Sequence, residues 1–200
     1  MATYRVLHSP GGTAADGVLL DDFRFPWLDR PCPRTEFRAV HDGERLHFRF
    51  DVDDEDLVLG DSPDPGQAAL GSDRVELFFA PDPELSRPYY GAEMDPAVRV
   101  YDYRARYHRE FDDAWSFRSL DFRSEIRRGG YAVSGSLALA ELAELGCLSD
   151  GVIVVGVYRA EFSHAPDGAI VEDWISWIDP GTETPDFHVP GSFGRFRLDP

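Results

Sequence analysis

Cysteine is scarce: Cys32 and Cys147 are the only two in 200 residues, far apart and without the close spacing of a zinc or redox motif. Neither a disulfide framework nor thiol chemistry is expected. No apolar run approaches the ~20 residues needed to span a bilayer, and the opening MATYRVLHSP has neither a basic nor an apolar signal region. The expectation is a soluble, cytoplasmic chain. Positive charge is also short, with 20 Lys plus Arg against 37 Asp plus Glu and a net charge of -17. Such a surface repels phosphates and anionic lipid, so nucleic acid and membrane are excluded as partners, and a neutral or cationic ligand fits better. Common catalytic signatures are missing as well: the chain has no HExxH, no GxSxG, no Walker loop and no Cys/His metal set.

What remains is rich in material for a core. Hydrophobic residues make up 42% and aromatics 13% of the chain, enough for one globular domain over residues 1–200 despite the charge. Period-two alternation dominates. In Arg45 to Asp53, Leu46, Phe48, Phe50 and Val52 alternate with polar residues, as in a half-buried antiparallel strand. Asp42-Gly43 supplies a hairpin turn between it and Glu36 to Val40, and Arg128-Gly129-Gly130 marks a second. Further strands are expected at Arg74 to Phe79, Tyr89 to Met94, Val98 to Tyr107, Leu120 to Ile126, Tyr131 to Leu139, Val152 to Phe162, Asp173 to Ile178 and Phe193 to Leu198. Only Leu139 to Leu145 favours a helical turn or two, and Pro63, Pro65 and Gly66 read as loop. The fold class is all-β: an antiparallel, jelly-roll-like β-sandwich with at most one or two short helices. Phe48, Phe50, Val75, Leu77 and Phe79 should share its core.

Three features could carry chemistry. Val75, Leu77 and Phe79 occupy one side of a strand and leave Arg74, Glu76 and Phe78 on the other, which is either a solvated face with an ion pair or the floor of a site. The face of Ile153, Val155 and Val157 runs on into Arg159 and Glu161, as at the mouth of a cleft or where a strand leaves the core. Tyr101, Tyr103 and Tyr107 share a face, while Trp174 and Trp177 fall on opposite faces of one strand. A flat ring suits the C–H face of a pyranose, and charged side chains suit its hydroxyls, although a tryptophan in a sandwich is commonly core.

GSDRVELFFAPDPE, then YYGAEMDP, VGVYRAE and WISWIDPGTETPDFHVPGSFGRFRL resemble the ordered motifs of the family 9-like carbohydrate-binding modules, from about Phe37 to Leu198. The resemblance implies non-catalytic binding of a mono- or oligosaccharide, often at a chain end, between aromatic platforms. By position it assigns Glu76, Tyr90, Glu93, Arg99, Arg159, Trp177 and His188 to the carbohydrate. Similar modules often have a tryptophan where this chain has Gly71. Trp27, Trp115 or a tyrosine would then have to supply the second wall. Such modules can also carry structural calcium, and Asp51, Asp53 and Asp54 offer hard oxygen donors, the alternative being a solvated strand end. Other classes stay open: a glycoside-active enzyme using carboxylates among Glu76, Glu93 and Glu161, or a haem-binding sandwich using Met94 and His188.

Overall fold

Alternating burial builds the architecture of the computed structural model, which describes residues 1–200. In chain order the elements are β1 (Thr3–His8), β2 (Thr35–His41), β3 (Arg45–Asp53), α1 (Pro65–Leu70), β4 (Arg74–Ala80), β5 (Tyr89–Met94), β6 (Val100–Arg106), β7 (Glu110–Asp112), β8 (Asp121–Arg127), β9 (Gly130–Ala138), α2 (Leu139–Glu144), β10 (Leu148–Ser149), β11 (Val152–His164), β12 (Ile170–Ser176) and β13 (Gly194–Leu198). β3 buries every second residue, as its sequence requires. Gly43, at φ 96°, turns β2 into β3, and Gly129, at φ 76°, turns β8 into β9, a region where a side chain is strained.

One layer runs β8-β9-β3-β2 and the other β7-β6-β5-β4-β11-β13, with β12 and β10 also on β11. Phe37, Phe48 and Phe50 of the first layer meet Val75, Leu77 and Phe79 of the second in one core cluster, each such burial stabilising by ~1.5–3 kcal/mol. The expected sandwich is therefore present, with two short helices.

Three local expectations change. Pairing is antiparallel except at β1, which runs parallel to both β13 and β2 and curls one layer into the other. The Pro63–Gly66 region is not all loop: Pro65 opens α1, where its missing N–H costs nothing, and the Asp64 carboxylate accepts from the Gln67 N–H at 2.8 Å. β6 begins at Val100 rather than Val98, whose φ of 62° lies in a turn.

A second apolar cluster covers the outer face of the β4 layer: Phe78, Tyr89, Tyr103 and Tyr158 beneath Phe187 and Phe193 of the β12–β13 connection. Tyr103 and Tyr158 lie flat over Gly91 and Gly156, where an added Cβ would come within 2.3 Å and 2.0 Å of them. This cluster anchors the connection that forms one side of the site. No helix is long and apolar enough to cross a membrane.

Candidate functional site

Strand register places the ionic floor of a pocket on that same outer face. Tyr158, Glu76, Glu93 and Tyr101 form one row across β11, β4, β5 and β6. Arg74 lies one row along, opposite Ala160, which in turn pairs with Trp174 of β12. The Arg74 Nε donates to Glu93 Oε2 at 2.7 Å and lies 3.1 Å from Glu76 Oε1. That second approach is off-axis, so the buried Oε1 accepts no hydrogen bond. Arg74 Nη1 donates to the Leu70 carbonyl at 2.9 Å, and its guanidinium lies 5.4 Å from the Trp174 ring centre, within cation–π range. Burial, and then the neighbouring Glu93 carboxylate, push Glu76 well above the ordinary carboxylate range.

Loops raise walls around this floor and enclose a cavity of about 360 Å³, within the range of small-molecule sites. Trp27 enters from the N-terminal connection, Arg109 and Phe111 from the β6–β7 side, and Pro185 to His188 from the β12–β13 connection. Phe187 stacks on Tyr158 at 4.2 Å between centroids and meets Trp27 at 5.7 Å and Trp174 at 5.9 Å. The Trp27 Nε1 donates to the Thr182 carbonyl at 2.9 Å. Asp186 joins the two rim loops, 2.6 Å from His108 Nε2 and 3.3 Å from Arg109 Nη1. His188 shares a 2.9 Å hydrogen bond with the Tyr89 hydroxyl, and burial pushes its pKa down to about 3, leaving it neutral.

Of the residues assigned from the sequence, the structure brings Glu76, Glu93 and His188 together in this pocket. Tyr90 faces the sandwich interior, 4.8 Å from the Trp115 ring, and Trp177 packs there against Phe196 at 6.3 Å. Arg99 is engaged away from the pocket, with Asp95 at 2.6 Å and the Gly60 carbonyl at 2.8 Å. Arg159 is fully buried between the layers. Gly71 caps α1 and abuts Gly60, while Leu70 lines the cavity. Trp27 is the one of the named substitutes for a missing wall that stands at the pocket, besides Tyr101. Glu161 and Met94 point inward, on the sheet face opposite Glu76 and His188. Glu161 is thus separated from the other two carboxylates, and Met94 from His188. Trp174, Arg109, Phe111 and Asp186 were not singled out as ligands; for Trp174 the only sequence signal is that it lies on the opposite strand face from Trp177.

A separate acidic group lies inside the sandwich at one end. Carboxylate oxygens of Asp54, Asp73 and Glu161 all fall within 4.8 Å of one another. Asp73 accepts the backbone N–H of Val58 and of Phe162, each at 2.7 Å, while buried Asp54 Oδ2 has no partner. The Arg159 guanidinium donates to Glu161 and to the Asp53 carbonyl and stands 3.8 Å from Asp54. Burial raises Asp73 to about 7 and Glu161 to about 8. Three carboxylates against one guanidinium, with an orphaned oxygen, are a donor set that suits a hard divalent cation. Asp51 is instead paired with Arg49 and Arg127, and Asp53 with Arg34.

Comparison with known proteins bears on the whole arrangement. The family model for "Carbohydrate family 9 binding domain-like" matches residues 26–200. Among solved structures, a provisionally assigned carbohydrate-binding protein from Bacteroides uniformis ATCC 8492 is similar, with a TM-score of 0.73 and 17% identity over 99% of this chain and 98% of that one. A family 9 carbohydrate-binding module from Caldicellulosiruptor kristjanssonii in complex with cellotriose has a TM-score of 0.61 and 14% identity over 98% and 93%. One from the same organism in complex with glucose has 0.55 and 16% over 98% and 95%. A search of curated protein sequences finds no match. With the family model matching from Pro26 to the last residue, the chain belongs to the carbohydrate family 9 binding domain-like family.

Proposed function

We propose that the protein binds a mono- or oligosaccharide, the latter at a chain end, in the Trp27–Trp174 pocket and leaves it chemically unchanged. One observation carries this reading: aromatic side chains from separate segments converge over a buried Arg74–Glu76–Glu93 floor. Rings take the C–H faces of a sugar, and the ionic floor takes its hydroxyls. Trp27, Tyr101 and Trp174 are the candidate platforms, Glu93 and His188 the candidate hydrogen-bonding groups, and Glu76 with Arg74 their support. Tyr90, Arg99, Arg159 and Trp177, each packed or ion-paired elsewhere, serve the scaffold in this reading. Binding without hydrolysis is supported by the carboxylates: Glu76 and Glu93 are cross-strand neighbours sharing one guanidinium, whereas glycoside hydrolysis uses two carboxyls that flank the scissile bond. Calcium, when bound, would be held by Asp54, Asp73 and Glu161 and would tie the two layers together.

Calorimetric titration with glucose and cellotriose, followed by a glycan array, tests the proposal. Saturable binding with the oligosaccharides recovered intact is the expected result. Failure to bind any glycan, or sugar release that is lost in Glu93→Gln, would overturn it.

A further inference from the structure

The charges of the pocket do not balance. Glu76, Glu93 and Asp186 line it against Arg74 and Arg109, and His188 contributes no charge. Arg74 serves both glutamates at once, and Arg109 is matched by Asp186, which also holds His108 outside the lining. Every cation of the pocket therefore already faces a carboxylate, and the Glu76–Glu93 pair, when both are ionised, carries one negative charge more than Arg74 can balance.

Resting on the sugar-binding reading of the same pocket, we propose that its ligand is an amino sugar, with the protonated amine directed at the Glu76–Glu93 side of the floor and the ring on the aromatic walls. Three observations converge on a cation. The surplus carboxylate lies in a largely desolvated site, where an opposite charge is worth more than in water. Aromatic faces such as those of Trp27, Tyr101 and Trp174 attract ammonium groups through their quadrupoles. The net charge of -17 concentrates cations and repels anions around the whole molecule. A uronic acid or a phosphorylated or sulfated sugar meets the opposite situation, because no guanidinium in the pocket is free to receive it. Burial, and then the neighbouring Glu93 carboxylate, raise the affinity of Glu76 for a proton in the empty pocket, and an ammonium seated beside it would favour release of that proton.

The test is calorimetric titration at pH 7 of the intact protein with ligands that differ at one substituent: glucose, glucosamine, N-acetylglucosamine and glucuronic acid, repeated with galactose and galactosamine. The amine should bind about fivefold tighter than its parent sugar, the scale of one net hydrogen bond after the ammonium has given up its own hydration. Acetylation should remove that advantage, and glucuronic acid should bind weakest. High salt should shrink the amine advantage, and Glu93→Gln should abolish it while keeping the shape of the side chain. Equal binding of amine and parent sugar, or preference for the uronic acid, overturns the inference and leaves sugar binding standing. Binding of none of these sugars nor of any array glycan overturns both.

Discussion

Two tryptophans three residues apart should respond to truncation in opposite ways. Trp177 is 3% exposed and packs over Gly194, where an added Cβ would lie 2.5 Å from its ring, so on that side Trp177→Ala leaves a space with no side chain to fill it. Removing a buried tryptophan costs ~3–5 kcal/mol, and at ~2–4 °C per kcal/mol for a domain of this size the melting temperature should fall by roughly 6–20 °C. Binding by the fraction still folded should be unchanged. Trp174 instead stands at the pocket, edge-on to Phe162 and Phe187 and beside Arg74. Trp174→Ala should lose one platform, about 1–3 kcal/mol by comparison with other buried aromatic contacts, or roughly 5- to 150-fold in Kd. Circular-dichroism melts and titration with glucose and cellotriose at 10 °C separate the two effects. If folded Trp177→Ala loses sugar binding while Trp174→Ala keeps it, the pocket has been assigned to the wrong face of the sheet.

Calcium at 100 times its dissociation constant should stabilise the protein by ~2.7 kcal/mol, raising the melting temperature by roughly 5–11 °C. EGTA should reverse the shift and Asp54→Asn should reduce it; an unchanged melting temperature at millimolar calcium would mean that Arg159 and protons alone satisfy the cluster. Acid should unfold the protein partly through His188. Its pKa falls from 6.5 to about 3 on burial, so the unfolded chain takes up a proton that the folded one refuses, and stability is lost as pH drops through that window, by no more than about 5 kcal/mol. Urea titrations from pH 7 to pH 3 should show a flatter profile for His188→Gln than for the parent, and identical profiles would rule this contribution out.

The parts of the fold legible in the sequence are those set by nearest neighbours. Alternation alone puts Leu46, Phe48, Phe50 and Val52 on one face, and it separates Val75 and Leu77 from Arg74 and Glu76; the structure keeps both divisions. It also puts Arg159 and Glu161 on the face of Val155 and Val157, which is the interior. From the sequence these charges are expected at a cleft mouth or where the strand leaves the core, and the structure corrects this: that face of the strand stays between the layers, and Arg159 is fully buried there among carboxylates. Likewise Asp51 and Asp53 alternate outward with the polar side of β3, and only Asp54, past the strand end, turns into the acidic cluster. Trp27, Arg109, Phe111 and Phe187 could not be grouped by any local rule. They come from three connections and the short strand β7, which meet only after the sheet has brought their anchors together, and β1, with two buried residues in six, left too short a pattern to register.

The choice of cation explains how such a floor can exist before any ligand arrives. The sequence contains no lysine, so all 20 cationic side chains are arginine. Burying a charge is costly unless its hydrogen-bonding groups are met, and a planar guanidinium can meet several acceptors in fixed directions where an ammonium is a mobile point charge. Arg74 uses this fully, holding Glu93, approaching Glu76 and closing on the Leu70 carbonyl while lying beside Trp174. One side chain thereby fixes two carboxylates, the end of α1 and an aromatic wall. These groups need not be ordered when a sugar enters, and the entropy that would otherwise oppose binding is already spent in folding. The buried ion pairs thus contribute less to net stability than to a pocket whose shape and charge are set in advance.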